Sequence, residues 1–240
     1  MRRLGTAFAA MLLAASVVAA QAPPPAPGRL DVHLGGWEKE MGRLVNLSAS
    51  FERTRKDAVF LKERQFEGSL LWMKPNLARL SIKSKADPQD HEGYVCNGKA
   101  VYQYDARRKT VTEYRINPGD GADDLLLSFL GGMTAADAKK RFTLALLEEG
   151  TNYVTLDIRP VLARDKQEFA HARMALLAPT NEAKFPAYLP YDVWKQLPNG
   201  DTEEWKLRRH VTNAKDVTPK HFAYEAVAGW TLQQAPTPPR

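Results

Sequence analysis

Apolar residues recur every three or four positions near the start of the chain. Between residues 30 and 45, Leu34, Trp37, Met41 and Leu44 lie on one stripe, and charged residues occupy the other side. This spacing is typical of an amphipathic helix that buries a single face. We therefore predict a helix over residues 30–45, although the Gly35-Gly36 pair weakens it near its beginning.

From residue 47 onward, apolar and polar residues alternate, which is a period of two residues. Leu47, Ala49 and Phe51 alternate with polar residues, and similar stretches follow to the end of the chain, the last at 222–227 and 230–232. Alternation of this kind predicts strands with one buried face, and Asn97-Gly98 predicts a tight hairpin turn. Six strands, a helical insertion and five or six further strands predict one strongly curved antiparallel sheet.

The helical insertion contains the most apolar short segment of the predicted domain. Asp123-Asp124 precedes the run 125–130, Gly131-Gly132 ends it, and Thr134 is placed to cap a second helix over 135–141. Acidic residues favour a helix start because they interact with the exposed N–H groups and the helix dipole. A helix that is apolar nearly all round has to be covered, either by the core or by a bound molecule.

The N-terminal segment has the features of an export signal. Arg2 and Arg3 precede an apolar run of about 14 residues, which is shorter than the roughly 20 that span a bilayer. We predict a signal peptide over 1–22 cleaved after Ala22, a proline-rich linker over 23–29, a single domain over 30–232 and a proline-rich mobile tail over 233–240. The chain is therefore predicted to be exported from the cytoplasm.

Charge and reactive residues exclude several classes of function. Loss of Arg2 and Arg3 with the leader lowers the net charge from +6 to +4, which is too small and too dispersed to indicate nucleic-acid binding. The single cysteine, Cys96, cannot form an intramolecular disulfide. Metal-ligand spacings, nucleophile elbows and phosphate-binding loops are missing from the sequence. We expect neither an enzyme nor a metal or cofactor site.

Four segments resemble, in the same order, motifs of the bacterial periplasmic lipoprotein carrier family (LolA-like proteins). They are NLSASFER at 46–53, GSLLWMKPN at 68–76, VCNGKAVYQYD at 95–105 and FAYEAVAGW at 222–230. The resemblance implies a mainly β (α+β) fold, an incomplete, strongly curved antiparallel β-barrel of about eleven strands covered by short lid helices. It also implies an apolar cavity and a periplasmic location, since the best-known members ferry acylated lipoproteins through the periplasm between two membrane protein systems.

The resemblance further implies which residues form the lid and the cavity, with ordinary core packing as the alternative for each. The implied lid residues are Trp37, Met41, Leu44, Leu125, Leu126, Leu127, Phe129, Leu130 and Met133. The implied cavity residues on the sheet are Phe51, Leu70, Trp72, Leu80 and Ile82. The carriers typically place an arginine before the proline as a lid tether; here Lys74 occupies that position without the planar fork of an arginine. The segment 159–191 is longer than the resemblance accounts for.

We therefore expect a monomeric, non-enzymatic carrier or chaperone that binds an acylated lipoprotein or another lipid. Its further expected partners are a membrane transporter or receptor, with transient membrane association. Two alternatives stay open. One is an envelope-stress sensor of the same fold that binds lipoprotein or lipid and signals to a membrane partner. The other is a scaffold domain whose cavity is filled by its own side chains.

Overall fold

The computed structural model describes residues 28–87, 89–116, 125–131, 133–179 and 186–235. The predicted signal peptide, most of the linker and the last five residues lie outside the described residues. So do Asp123, Asp124 and Gly132, and the side chain of Leu127. The predictions that concern them stay predictions. Within the described ranges, no helix has both the length and the apolar character needed to cross a bilayer.

One sheet of twelve strands makes up most of the described structure. Its order is β12-β6-β5-β4-β3-β2-β1-β11-β10-β9-β8-β7, so it stays open between the edge strands β12 and β7. Neighbours are antiparallel except for the parallel pair β12 and β6. The strands are β1 (Asn46–Lys56), β2 (Glu63–Met73), β3 (Leu77–Ser84), β4 (His91–Asn97), β5 (Ala100–Asp105), β6 (Thr110–Arg115), β7 (Phe142–Glu149), β8 (Tyr153–Pro160), β9 (His171–Leu177), β10 (Pro190–Gln196), β11 (Thr202–Thr212) and β12 (Thr231–Gln234).

Four short helices accompany the sheet: α1 (Arg29–Arg43), α2 (Leu125–Leu130), α3 (Ala135–Arg141) and α4 (Ala163–Glu168). The apolar stripe of α1 is buried, and the ring of Trp37 packs against Phe129 of α2 with their centroids 4.9 Å apart. Thr134 caps α3 as predicted, because its side chain accepts a hydrogen bond from Asp137 N. The incomplete, curved antiparallel barrel with lid helices is confirmed.

The core lies between the inner face of the sheet and the helices. On β1 the buried apolar residues are Leu47, Ala49 and Phe51, the alternate positions that the sequence pattern predicts. Across the ladder, Leu47 is paired with Trp72 of β2. Pairing of β1 with β11 joins the first half of the chain to the second, so a single hydrophobic cluster extends through both.

The C-terminal region differs from the prediction. The predicted strand over 222–227 is wrong, because Phe222 ends a 3-10 turn (Pro219–Phe222) and no strand follows before Thr231. Side chains satisfy this backbone instead of a ladder: Arg79 donates to Ala223 O at 3.3 Å, and Tyr104 Oη donates to Glu225 O at 3.0 Å. The last strand, β12, includes Gln233 and Gln234, two residues that we assigned to the tail.

The long segment 159–191 contains an element that the sequence pattern did not predict. The helix α4 lies between β8 and β9, and its Asp165 is buried. A six-residue helix with one buried carboxylate has no apolar stripe from which it can be recognised. Its position is set by the ion pair between Asp165 and Arg141 at the end of α3.

Candidate functional site: a cavity between the sheet and the helices

A cavity of about 1010 Å³ lies between the inner face of the sheet and the α2 region, which consists of α2 with Gly131 and Met133 after it. Alternation on β2 and β3 directs every second side chain inward, so these two strands supply the largest share of the apolar lining. The remainder comes from β4, β5, β10, β11, the residue after β6 and the α2 region. The large apolar residues of the lining are Leu70, Trp72, Leu80, Ile82, Val101, Ile116, Leu126, Met133, Val193 and Trp205.

The structure divides the predicted lid and cavity residues into two groups. Six line the cavity: Leu70, Trp72, Leu80, Ile82, Leu126 and Met133. Seven lie in the packed core without lining it: Trp37, Met41, Leu44, Phe51, Leu125, Phe129 and Leu130. Residues of the second group belong to the buried hydrophobic cluster, so they support the cavity wall on the side away from the cavity. Ligand binding by either group stays a prediction.

Polar side chains also line the cavity, and sequence reasoning missed them because it selected apolar residues alone. Arg53 is the clearest example, since it lies two positions after Phe51 on the inward face of β1. Its guanidinium forms an ion pair with Glu203 and lies 5.0 Å from the Trp205 ring centre. The alternation of β1 was a signal that could have placed Arg53 inside the sheet.

The charges around Glu203 hold it in the ionised form. Burial by itself would raise the pKa of this carboxyl, but the positive charges of Arg53 and Lys195 outweigh burial and leave its pKa below the ordinary value. The Lys195 Nζ lies 3.9 Å from Glu203 Oε2. Both cations line the cavity, so this part of the wall is polar and carries positive charge, while the β2–β3 part is apolar.

Arg141 connects the α2 region to the rest of the domain. Its Nη1 donates to Ser128 Oγ of α2 at 3.1 Å, and its Nε donates to the buried Asp165 at 3.2 Å. Arg141 and Ser128 both line the cavity. The position of the short helix α2 therefore depends on this polar contact as well as on the buried rings of the core.

Lys74, the candidate tether, contacts the end of α1. Its Nζ donates to Met41 O at 2.9 Å and to Gly42 O at 2.7 Å. The last carbonyl groups of a helix have no partners within the helix, and a cation there also interacts favourably with the helix dipole. Lys74 thus joins the β2–β3 turn to the C-terminal end of α1.

Two titratable groups in the cavity wall are held in their neutral forms. Burial raises the pKa of the Cys96 thiol, whose Sγ donates to Asn76 O at 3.1 Å. Burial also raises the pKa of Tyr94, whose hydroxyl donates to Glu92 at 3.0 Å. Both groups act as hydrogen-bond donors at neutral pH. Among the described residues, no three His, Cys, Asp or Glu side chains form a group that could hold a metal ion.

Comparison with known proteins establishes a shared fold. No family model and no curated protein matches the chain. An uncharacterized conserved protein from Thermus thermophilus is similar at 12% identity and a TM-score of 0.51, over 87% of this chain and 100% of that one. This likeness shows the shared fold alone.

Two further solved structures are similar at lower TM-scores. A LolA superfamily protein from Nitrosomonas europaea is 9% identical with a TM-score of 0.44, over 80% of this chain and 96% of that one. A chain of the Pseudomonas aeruginosa MucA/MucB complex is 13% identical with a TM-score of 0.42, over 80% of this chain and 61% of that one.

Proposed function

We propose that this protein is a non-enzymatic, extracytoplasmic carrier or chaperone that holds the acyl chains of a lipoprotein or another lipid. The observation that supports this function best is the cavity of about 1010 Å³ with its apolar wall on β2 and β3. Ligand-binding cavities are typically about 300–1,000 Å³ and mostly apolar, with a few polar groups that orient the ligand. This cavity lies at the upper end of that range.

The free energy of solvation explains why such a cavity suits acyl chains. Burial of each methylene contributes about 0.8 kcal/mol, so a sixteen-carbon chain left in water costs on the order of 12 kcal/mol. Trp72, Leu80 and Ile82 offer the apolar contacts that would replace water. Arg53 and Lys195, in another part of the wall, are placed to contact a polar head group.

We assign the opening of the cavity to the α2 region. The helix has six residues; Leu126 within it and Met133 just after it line the cavity while remaining partly exposed. A helix this short has little stability of its own, so release of its core contacts would open the cavity and admit or release a chain. Phe129 and Leu130 would keep it attached to the core in the closed state.

A binding comparison tests this proposal. A synthetic diacylated lipopeptide and the same peptide without acyl chains are titrated into the purified chain that begins at residue 23. We expect acyl-dependent binding in the micromolar range or tighter, and loss of that binding in Leu126→Asp, which places a carboxylate in the cavity wall. Val211→Asp, on an exposed position of β11, is the matched control and should bind as the wild type does.

Equal binding of the two peptides would reject the carrier function. A scaffold whose cavity is filled by its own side chains would then be the better account. Acyl-dependent binding that also creates or breaks a stable complex with a membrane-protein ectodomain would instead favour the envelope sensor.

A further inference from the structure

The turn between β1 and β2 exposes three consecutive large apolar side chains. The exposed fractions are 78% for Val59, 72% for Phe60 and 68% for Leu61. Isolated apolar residues on a protein surface are ordinary, but a contiguous apolar group at the end of a hairpin indicates a surface that contacts something else. This hairpin tip, residues 58–62, is separate from the cavity lining.

The backbone of the hairpin tip is held in place by two carboxylates. Asp57 Oδ1 accepts hydrogen bonds from Val59 N at 2.9 Å and Phe60 N at 2.7 Å. Asp201, from the adjacent β10–β11 turn, accepts from Ala58 N at 3.0 Å and from Arg55 Nη2 at 2.9 Å. The apolar side chains are therefore presented on a defined turn.

Leu61 adopts a backbone conformation that leucine disfavours. Its φ of 54° lies in the left-handed region, which favours glycine, asparagine and aspartate. The leucine side chain gains no buried contact here to offset that preference, because it is exposed. Neither the turn nor the core accounts for an apolar residue at this position.

Basic side chains surround the apolar group. Lys56, Lys62 and Arg64 are exposed, and within the described part of the chain no ion pair includes any of them. Lys62 Nζ lies 6.0 Å from the centre of the Phe60 ring. Two acids lie near them: Asp57 is bonded to the turn, and Glu63 lies across the ladder from Lys56, so residues 56–64 carry a net charge of +1. An apolar end with adjacent lysine and arginine is the arrangement by which surface segments enter the interface of a bilayer.

We propose that the hairpin tip inserts Val59, Phe60 and Leu61 into the interfacial region of a lipid bilayer, with the adjacent cations at the level of the phosphate groups. A protein partner is less well matched, because a stable protein interface needs about 800 Å² on each side, far more than three side chains supply. Arg53 in the cavity wall precedes Lys56 by three residues, roughly 10 Å along β1. Insertion would bring that part of the cavity close to the membrane.

Sedimentation with lipid vesicles tests this surface separately from acyl-chain uptake. The chain from residue 23 is mixed with vesicles of phosphatidylcholine alone or with added phosphatidylglycerol. V59S/F60S/L61S should weaken the binding to both compositions by at least about tenfold, through loss of apolar burial. K56Q/K62Q/R64Q should weaken the binding by about tenfold or more on the anionic vesicles alone.

L147S/V211S is the matched control, since it removes two apolar side chains that are also exposed but lie elsewhere on the sheet. It should bind both vesicle types as the wild type does. All variants alter exposed residues, so their melting temperatures should stay close to the wild-type value. Absence of wild-type binding to either vesicle type, or equal binding by V59S/F60S/L61S, would overturn the proposal. So would a soluble protein ectodomain that binds through the hairpin tip while vesicles do not.

Discussion

Phe51 of β1 lies directly across the ladder from Gly68 of β2, and its ring occupies the space that a side chain at position 68 would need. A Cβ at that position would stand 2.4 Å from Phe51 Cζ and 2.0 Å from Ser81 O. Because Gly68 has no side chain, the Phe51 ring can pack against Trp205, with the ring centroids 4.9 Å apart. The wall of the cavity next to Trp205 thus depends on a glycine in the neighbouring strand.

Gly68→Ala should destabilise the fold because the contact with Ser81 O can be relieved only by moving the backbone. We expect a loss of about 1–3 kcal/mol or more in the free energy of unfolding, measured by urea denaturation. Gly35→Ala is the control, since a Cβ at this helical position meets nothing within 4 Å. It should raise stability by up to about 1 kcal/mol. Equal stability of the two variants would contradict this reading of the Phe51 packing.

Replacement of Lys74 should loosen the end of α1. Lys74→Met removes two charge-assisted hydrogen bonds to Met41 O and Gly42 O, and we expect a loss of about 1–2 kcal/mol together with faster amide exchange in α1. Lys39→Met, at an exposed position on α1, should leave both quantities near the wild-type values. If the two variants unfold at the same urea concentration, Lys74 does not hold the helix.

The buried carboxylate of Asp165 should be far more sensitive to substitution than an exposed one. Asp165 is 1% exposed, and Asp165→Ala would leave the half-buried Arg141 guanidinium without its carboxylate partner. We expect a loss of about 3–5 kcal/mol in the free energy of unfolding. Glu204→Ala, which removes the exposed partner of Lys206, should cost less than about 1 kcal/mol. Similar small losses in both variants would show that α4 does not depend on the buried pair.

His210 should make the fold less stable in mild acid. Burial lowers the pKa of this imidazole, although the contact of Nε2 with Pro190 O at 2.9 Å acts in the opposite direction. The unfolded chain, with the ordinary pKa near 6.5, therefore binds more protons than the folded chain as the pH falls below that value. The stability supplied by neutral His210 is present above that pH and is lost on acidification.

The measurement is urea unfolding of the wild type and His210→Gln between about pH 7 and about pH 5. The wild type should lose more stability over this interval than the variant does. Equal losses would show that another group causes the pH dependence.

The sheet could be predicted from the sequence because period-two alternation reports which face of a strand is buried. On β1 the same alternation also places Arg53 inside, a residue that a search for apolar positions passes over. The segment 222–227 shows the opposite case. Its composition is typical of a strand, but Arg79 donates to Ala223 O and Tyr104 to Glu225 O. No local sequence pattern reveals contacts with residues more than 100 positions away.

The division between cavity and core could not be predicted from the sequence. Trp37 and Trp72 are both apolar and inward-facing, yet Trp37 is enclosed by α2 and Trp72 lines the cavity. The difference depends on the distance between the helices and the sheet, which is set by the fold as a whole. The exposed hairpin tip was missed for a similar reason, since an apolar run at a turn resembles any buried strand end until its exposure is known.

The central claim, that acyl chains occupy the cavity, is tested most directly by tryptophan fluorescence. Trp72 and Trp205 line the cavity, whereas Trp37, Trp194 and Trp230 do not. A lipopeptide with bromine in its acyl chains should quench the emission of the wild type, and most of that quenching should disappear in W72F/W205F. Absence of quenching in the wild type, or equal quenching in W72F/W205F, would show that the acyl chains are not held in this cavity.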